Sequence, residues 1–186
     1  MQRLRNNAKW SLEYDSQCIA LHSSILICSL NTRNVHMHIN DKLSDHDTNN
    51  CDILCLQETY ILESIPYELF PGFNCIPNYA NHGMLTCFKK HISILEYAHH
   101  EEENVELTIA DVISKGAHLT ILNIYASPNA TLDNITTTLT KALCNIQLNQ
   151  RILILGNFNI DLSKMNTKTK ALENYMHSHN FIQMHI

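Results

Sequence analysis

Apolar positions in this chain fall into short runs separated by polar turns, and the clearest run is Ile152 to Leu155, four branched residues between Arg151 and Gly156. Such a run reads as a central strand covered on both faces. Gly156 ends it, and Asn157 and Asn159 follow at the strand's carboxyl end, where open α/β sheets place their chemistry. Residues at i and i+2 of an extended segment point the same way, so the two amides face one ligand if the segment stays extended. Gly and Asn are equally what an ordinary strand-to-loop turn uses, and both readings stay open on this stretch alone.

The same pattern repeats upstream. Ile25 to Leu30 predicts a short buried strand that ends in the polar turn Asn31 to Asn34, and Val35, Ile39 and Leu43 then recur at helical spacing. Asp52 to Leu56 predicts a second buried strand, which hands over to Gln57, Glu58 and Thr59. Pro66, Pro71, Gly72 and Pro77 predict an irregular stretch up to the turn Asn81-His82-Gly83. Met84 to Phe88 and Ile92 to Tyr97 read as a strand pair joined by Lys89, Lys90 and His91, and His99 to Asn104 as a solvated acidic connection.

Val105 to Ala110 alternates as a half-exposed strand does, and His118 to Tyr125 predicts another strand, ending in Ala126-Ser127-Pro128-Asn129. Thr131 to Leu148 predicts an amphipathic helix with Leu132, Ile135, Leu139, Leu143 and Ile146 on one face, and Asn166 to His179 a second helix. Phe181 to Ile186 begins a strand. Hairpin-like strands mixed with helices predict an α+β fold, with two sheets face to face and helices outside. Residues 1–23 are polar without a period and read as a tail or linker, leaving 24–186 as one domain.

Composition adds limits. At 186 residues and 45% hydrophobic the chain supports one core, and its formal charge of −5 gives no overall basic field for nucleic acid. Any polyanion is therefore met locally, by a metal or a few cations. Seven cysteines, with no C-x-x-C, read as reduced thiols and so as an intracellular protein, nuclear or cytoplasmic not being distinguishable. The N-terminal stretch has no apolar h-region, which argues against a signal peptide or membrane span. The pairs His36-x-His38, His99-His100 and His177-x-His179 lack a Cys or carboxylate partner at zinc-like spacing.

Four strand ends carry polar groups in order: Asn31, Glu58, Tyr125 with Asn129, and Asn157 with Asn159. The strings around them are SLN (Ser29 to Asn31), CLQET (Cys55 to Thr59), NIYASPN (Asn123 to Asn129) and GNFN (Gly156 to Asn159). Together they resemble the endonuclease/exonuclease/phosphatase superfamily, nearest its mobile-element (retrotransposon) apurinic-type endonuclease domains, which read LN-x-R, LQET and Y-x-P-N at these points. The resemblance runs from about Ile25 to the C-terminus.

It implies a four-layer α/β/β/α sandwich and a Mg²⁺- or Mn²⁺-dependent phosphodiesterase acting on DNA. Glu58 would hold the metal with Asn31 beside it, Tyr125 would contact the scissile phosphate, and Asn159 would donate to a transition-state oxygen. Asn129 and Arg33 would bind substrate, with Lys89 and Lys90 joining Arg33 on the phosphate backbone if they fall on the rim.

Two departures stand out. The family reads GDFN where this chain has Asn157, and an amide cannot accept the proton that a carboxylate takes from the attacking water. The family also closes its site with an Asp-His pair on strands beyond the point this chain reaches. The expectation is a degenerate or truncated copy, a pseudoenzyme with little or no activity, whose second sheet is incomplete and associates through an exposed edge. A gene-model fragment, a decayed copy and one exon of a longer protein all fit. A non-catalytic binding remnant, or a phosphoesterase on another substrate, is the alternative.

Overall fold

A computed structural model describes residues 8–12, 25–37, 50–61, 63, 69–146, 150–161, 164 and 166–184. Its strands in chain order are β1 (Ala8–Leu12), β2 (Ile27–Asn31), β3 (Ile53–Gln57), β4 (Phe73–Asn78), β5 (Met84–Lys89), β6 (Ser93–Glu102), β7 (Val105–Ser114), β8 (Ala117–Ala126), β9 (Arg151–Asn157) and β10 (Phe181–Met184). The two longer helices are α1 (Leu132–Leu143) and α2 (Thr167–Ser178). Six strands form the larger sheet, in the order β10-β1-β9-β8-β7-β6, and four form the smaller, β2-β3-β5-β4.

The period-two pattern explains the layering. Ile53, Cys55 and Phe88 of the smaller sheet meet Ala110, Val112, Ile121 and Leu155 of the larger between the sheets. The alternate residues Leu107, Ile109, Leu122, Ile124, Ile152 and Ile154 face outward against Ile135, Leu139 and Ala142 of α1 and Leu172 and Met176 of α2. On the smaller sheet's outer face, Leu54, Leu56, Leu85 and Cys87 pack with Val35, Ile61 and Phe70. This is the expected α+β, DNase-like sandwich. The helix expected from Val35 to Leu43 is present at 35–37, and the rest of it lies outside the described residues.

Both helices start where side chains replace the missing backbone partners. Thr131 and Asn134 form a reciprocal capping box on α1, and Asn166 accepts from the Thr169 amide at the start of α2. α1 ends at Leu143, short of the expected Leu148. It bridges the parallel neighbours β8 and β9, and this crossover brings Tyr125 level with Asn157. In the other sheet β2 and β3 are also parallel, which sets Asn31 level with Gln57. Both sheets therefore present carboxyl ends at one end of the sandwich.

Between the layers, side chains change character toward that end. Beyond the apolar contacts, buried Gln57 donates to buried Asn123 Oδ1 (2.7 Å) and Ser29 Oγ (3.2 Å), and Asn123 donates across to Thr86 Oγ1 (3.0 Å) and Leu85 O (3.3 Å). This amide clasp is a polar link between the two sheets, with both amide groups buried and hydrogen-bonded to each other. Asn123→Leu removes the shortest of the Gln57 Nε2 contacts and the bonds from Asn123 to Thr86 and Leu85 across the layers. We expect a loss of about 2–3 kcal/mol, read as a lower denaturant midpoint at unchanged slope.

Several expectations need correction. Met84 to Phe88 and Ile92 to Tyr97 are not a strand pair: β5 lies in the smaller sheet and β6 in the larger, so the chain crosses between layers there. The acidic segment His99 to Asn104 is mostly strand, because β6 stays paired with β7 as far as Glu102. The Pro-rich stretch contains β4, and Pro77 is tolerated because β4 is an edge strand. Val105 to Ala110 is buried throughout, covered by α1 on one face and the smaller sheet on the other.

Within the stretch read as a tail, Ala8–Leu12 is paired antiparallel with both β9 and β10, occupying what would otherwise be an open edge of β9. The outer edge at β6 carries a register shift between Ile94 and Glu96 and leaves Leu95 and Tyr97 exposed. Cys75 and Cys87 face each other across the β4–β5 pair and form a disulfide, so the expectation of uniformly reduced thiols fails and the compartment argument loses its premise. Their spacing in sequence shows nothing of this register. Among the described residues no helix is long and apolar enough to cross a membrane.

Candidate active site

The carboxyl ends of β2 and β3 are tied together by their following loops. Thr32 donates its backbone N–H to Gln57 O (2.8 Å) and its hydroxyl to Gln57 O and Glu58 O (2.9 Å each), and the Asn34 N–H donates to Glu58 O (2.8 Å). Arg33, Asn34, Glu58 and Tyr60 all have positive φ, at 48°, 86°, 51° and 52°. Each such residue costs on the order of 1–2 kcal/mol, and that concentration of strain is typical of a functional loop. Its effect here is to turn Glu58 inward. Asn31 Nδ2 donates to Glu58 Oε1 at 2.6 Å, and Asn31 Oδ1 accepts from the Arg33 N–H at 3.1 Å.

From the other sheet comes Tyr125, 3% exposed. Burial raises its pKa well above the ordinary tyrosine range, and the Glu58 charge and a hydrogen-bonding interaction with Glu58 raise it further, with smaller effects of Tyr60 and Glu106. Because the folded value lies above the unfolded one, the associated stability is fully present below the unfolded tyrosine pKa. It is lost as pH rises toward the folded value. Difference titration of tyrosinate absorbance against Tyr125→Phe should show this group ionising last. Glu58→Gln should bring it part of the way back, and only part, because burial is the larger cause.

Asn157 stands level with Tyr125 at the end of β9. Its Oδ1 accepts from the Asn159 N–H at 2.9 Å, and Asn159 Nδ2 donates to Ala126 O at 2.7 Å. Asn159 adopts φ +48°, so the two amides do not alternate along an extended strand. They close a turn in which Asn157 caps Asn159, and the turn reading of this stretch describes the local backbone.

The structure thus brings Asn31, Glu58, Tyr125, Asn157 and Asn159 to one end of the sandwich. Arg33 is exposed on the adjacent loop, and Asn129 is exposed in the turn after β8, with no hydrogen bond to the cluster among the described residues. Lys89 ends β5 and Lys90 follows it at the opposite end, near the start of β3, so they cannot join Arg33 on this rim. Two residues that the sequence pattern did not single out, His82 and Glu106, sit beside Tyr125. The His82 and Tyr125 ring centroids are 4.8 Å apart, and His82 Nδ1 lies 2.8 Å from Glu106 Oε1.

The convergent donors are hard oxygens: one carboxylate, amide oxygens and a phenol. That set fits Mg²⁺ or Mn²⁺ retaining several waters. Among the described residues there is no group of three or more His, Cys, Asp or Glu that would close a tighter cage.

A scan of protein-family models gives no match, and neither does a comparison with curated proteins. Solved structures do match. TDP2 from D. rerio, complexed with single strand DNA product, aligns at 14% identity with a TM-score of 0.57, over 79% of this chain and 64% of that one. The endonuclease domain of TRAS1, a telomere-specific non-LTR retrotransposon, aligns at 10% identity and TM-score 0.58, over 81% and 70%. An AP endonuclease from Archaeoglobus fulgidus aligns at 13% identity and TM-score 0.60, over 82% and 70%. The chain spans about two thirds of the length of these structures. With element order and layering beside these likenesses, the chain shares the two-sheet, DNase-like fold of these solved structures.

Proposed function

We propose that this chain is a phosphodiesterase-type domain that engages the DNA backbone at a Mg²⁺ or Mn²⁺ site and hydrolyses it weakly, because an amide, Asn157, stands where a proton acceptor is needed. The observation that carries this reading is the contact of Asn31 and Tyr125 with Glu58 across the mouth of the sandwich, with Asn157 level with Tyr125. Glu58 and Asn31 would hold the cation, which when bound supplies positive charge to phosphoryl oxygens.

The chain's own residues supply the rest. Tyr125, held protonated by its buried setting, would donate to a phosphate oxygen. Asn159 spends one amide proton on Ala126 O and has a second for the substrate. Asn157 would orient water through its amide, but it has no basic site at neutral pH. Arg33 and Asn129, exposed near this end, would meet the DNA backbone.

Asn157 also favours a second reading, a domain that binds DNA without turnover. DNA-cleavage assays on Asn157→Asp and on Asn157→Asp combined with Glu58→Gln separate the two. The first reading expects Mg²⁺-dependent nicking by the single variant and none by the double. Salt-sensitive DNA binding with no nicking by either variant would favour the second.

A further inference from the structure

The turn Asn81-His82-Gly83 is pressed against the strained segment that carries Glu58. The Thr59 N–H donates to Gly83 O (3.0 Å) and the Tyr60 N–H to His82 O (2.9 Å). Gly83 has φ +70°, and a Cβ there would meet Thr59 Oγ1 at 2.7 Å. From this turn His82 makes two bonds to one buried oxygen: its backbone N–H (3.0 Å) and its Nδ1 (2.8 Å) both meet Glu106 Oε1. The Glu106 side chain is 4% exposed and that of His82 31%. Anchoring a turn accounts for the backbone bond. It does not account for a second bond that fixes the imidazole.

We propose that His82 is a substrate-contacting residue of this site, offering Nε2 to a phosphodiester oxygen, and that Glu106 is the positioning residue that aims it. The inference rests on the function proposed above and extends it by one residue pair. A carboxylate only accepts, so Nδ1 keeps its proton and Nε2 is the nitrogen turned away from Glu106. The ring lies beside Tyr125 of the site, with centroids 4.8 Å apart, and 6.3 Å from the ring of Tyr60, two residues after Glu58. Register supports the pairing, since Glu106 stands directly opposite Tyr125 in the β7–β8 ladder. When the ring carries both protons, Nε2–H donates to the phosphate oxygen in a charge-assisted bond.

The test uses the full chain, Mg²⁺ and a short single-stranded DNA oligonucleotide. His82→Asn places an amide nitrogen near the position of Nδ1, keeping the bond to Glu106, and removes Nε2 alone. The expected result is an unfolding temperature close to that of the wild type with about tenfold weaker oligonucleotide binding. In the unsubstituted chain, the NMR signals of the His82 ring should move on titration with the oligonucleotide. If His82→Asn does not fold, these ring signals decide by themselves. Wild-type affinity in His82→Asn, or an unmoved His82 ring while Tyr125 and Asn159 signals shift, would overturn the proposal and leave the proposed function standing. No movement of any site signal would overturn both.

Discussion

Asn157→Asp is expected to raise Mg²⁺-dependent plasmid nicking by about 10²–10⁴-fold, the usual contribution of a general base. Shape changes little, since the two side chains are nearly isosteric. Charge and basicity change completely, because a carboxylate at 157 accepts a proton that the amide cannot. The existing bond from the Asn159 N–H to Oδ1 is available to an aspartate as well, so the turn is kept. A second carboxylate would enter the end of the sandwich that already holds Glu58, and their repulsion is relieved only when a divalent cation is present. Thermal stability of the variant should therefore respond to Mg²⁺ more strongly than that of the wild type. Equal nicking by the two proteins would show that the amide is not the limiting deficit.

Gly156→Ala should abolish the fold. Gly156 has φ +145°, and a Cβ built on it would lie 1.8 Å from Ile124 O and 2.8 Å from the carbonyl carbon of the same residue. Those atoms are backbone of β8, held in register on both sides, and no side-chain rotation clears them. Relief requires β8 and β9 to part beneath Tyr125 and Asn157. We expect a loss above about 4 kcal/mol, in the exceptional range for one substitution and a large part of the ~5–15 kcal/mol that holds a domain together. Circular dichroism should show no cooperative melt. A melting temperature within about 4 °C of wild type would contradict the steric account.

The run Ile152 to Leu155 and its terminating glycine were legible because a strand buried on both faces is written in consecutive branched residues. The polar strand ends were legible too, since strained loops need particular residues at particular offsets. Sheet membership was not. The two short runs that became β5 and β6 look like a hairpin, and nothing local shows that the chain crosses between layers at residues 89–92.

The interlayer polar groups were hidden for a related reason. Asn123 interrupts an apolar run and Glu106 alternates as an exposed residue would, yet both are buried and meet partners far away in sequence, Gln57 and His82. Asn157 and Asn159 fall at the end of β9 and just beyond it, but their orientation was not legible, since the positive φ at Asn159 breaks the alternation that the extended reading assumed. Cys75 and Cys87 needed a register that only the folded β4–β5 pair supplies.

Asn31 and Glu58 belong to one sheet and Tyr125 and Asn157 to the other, with the Gln57–Asn123 clasp directly behind them. A molecule that touches both sets can do so only while the layers are closed, so its binding energy is added to the cohesion of the sandwich. Saturating ligand at a hundred times its dissociation constant would contribute about 2.7 kcal/mol, and amide hydrogen exchange in the interlayer strands would slow accordingly. The mouth of this domain is thereby also its fastening.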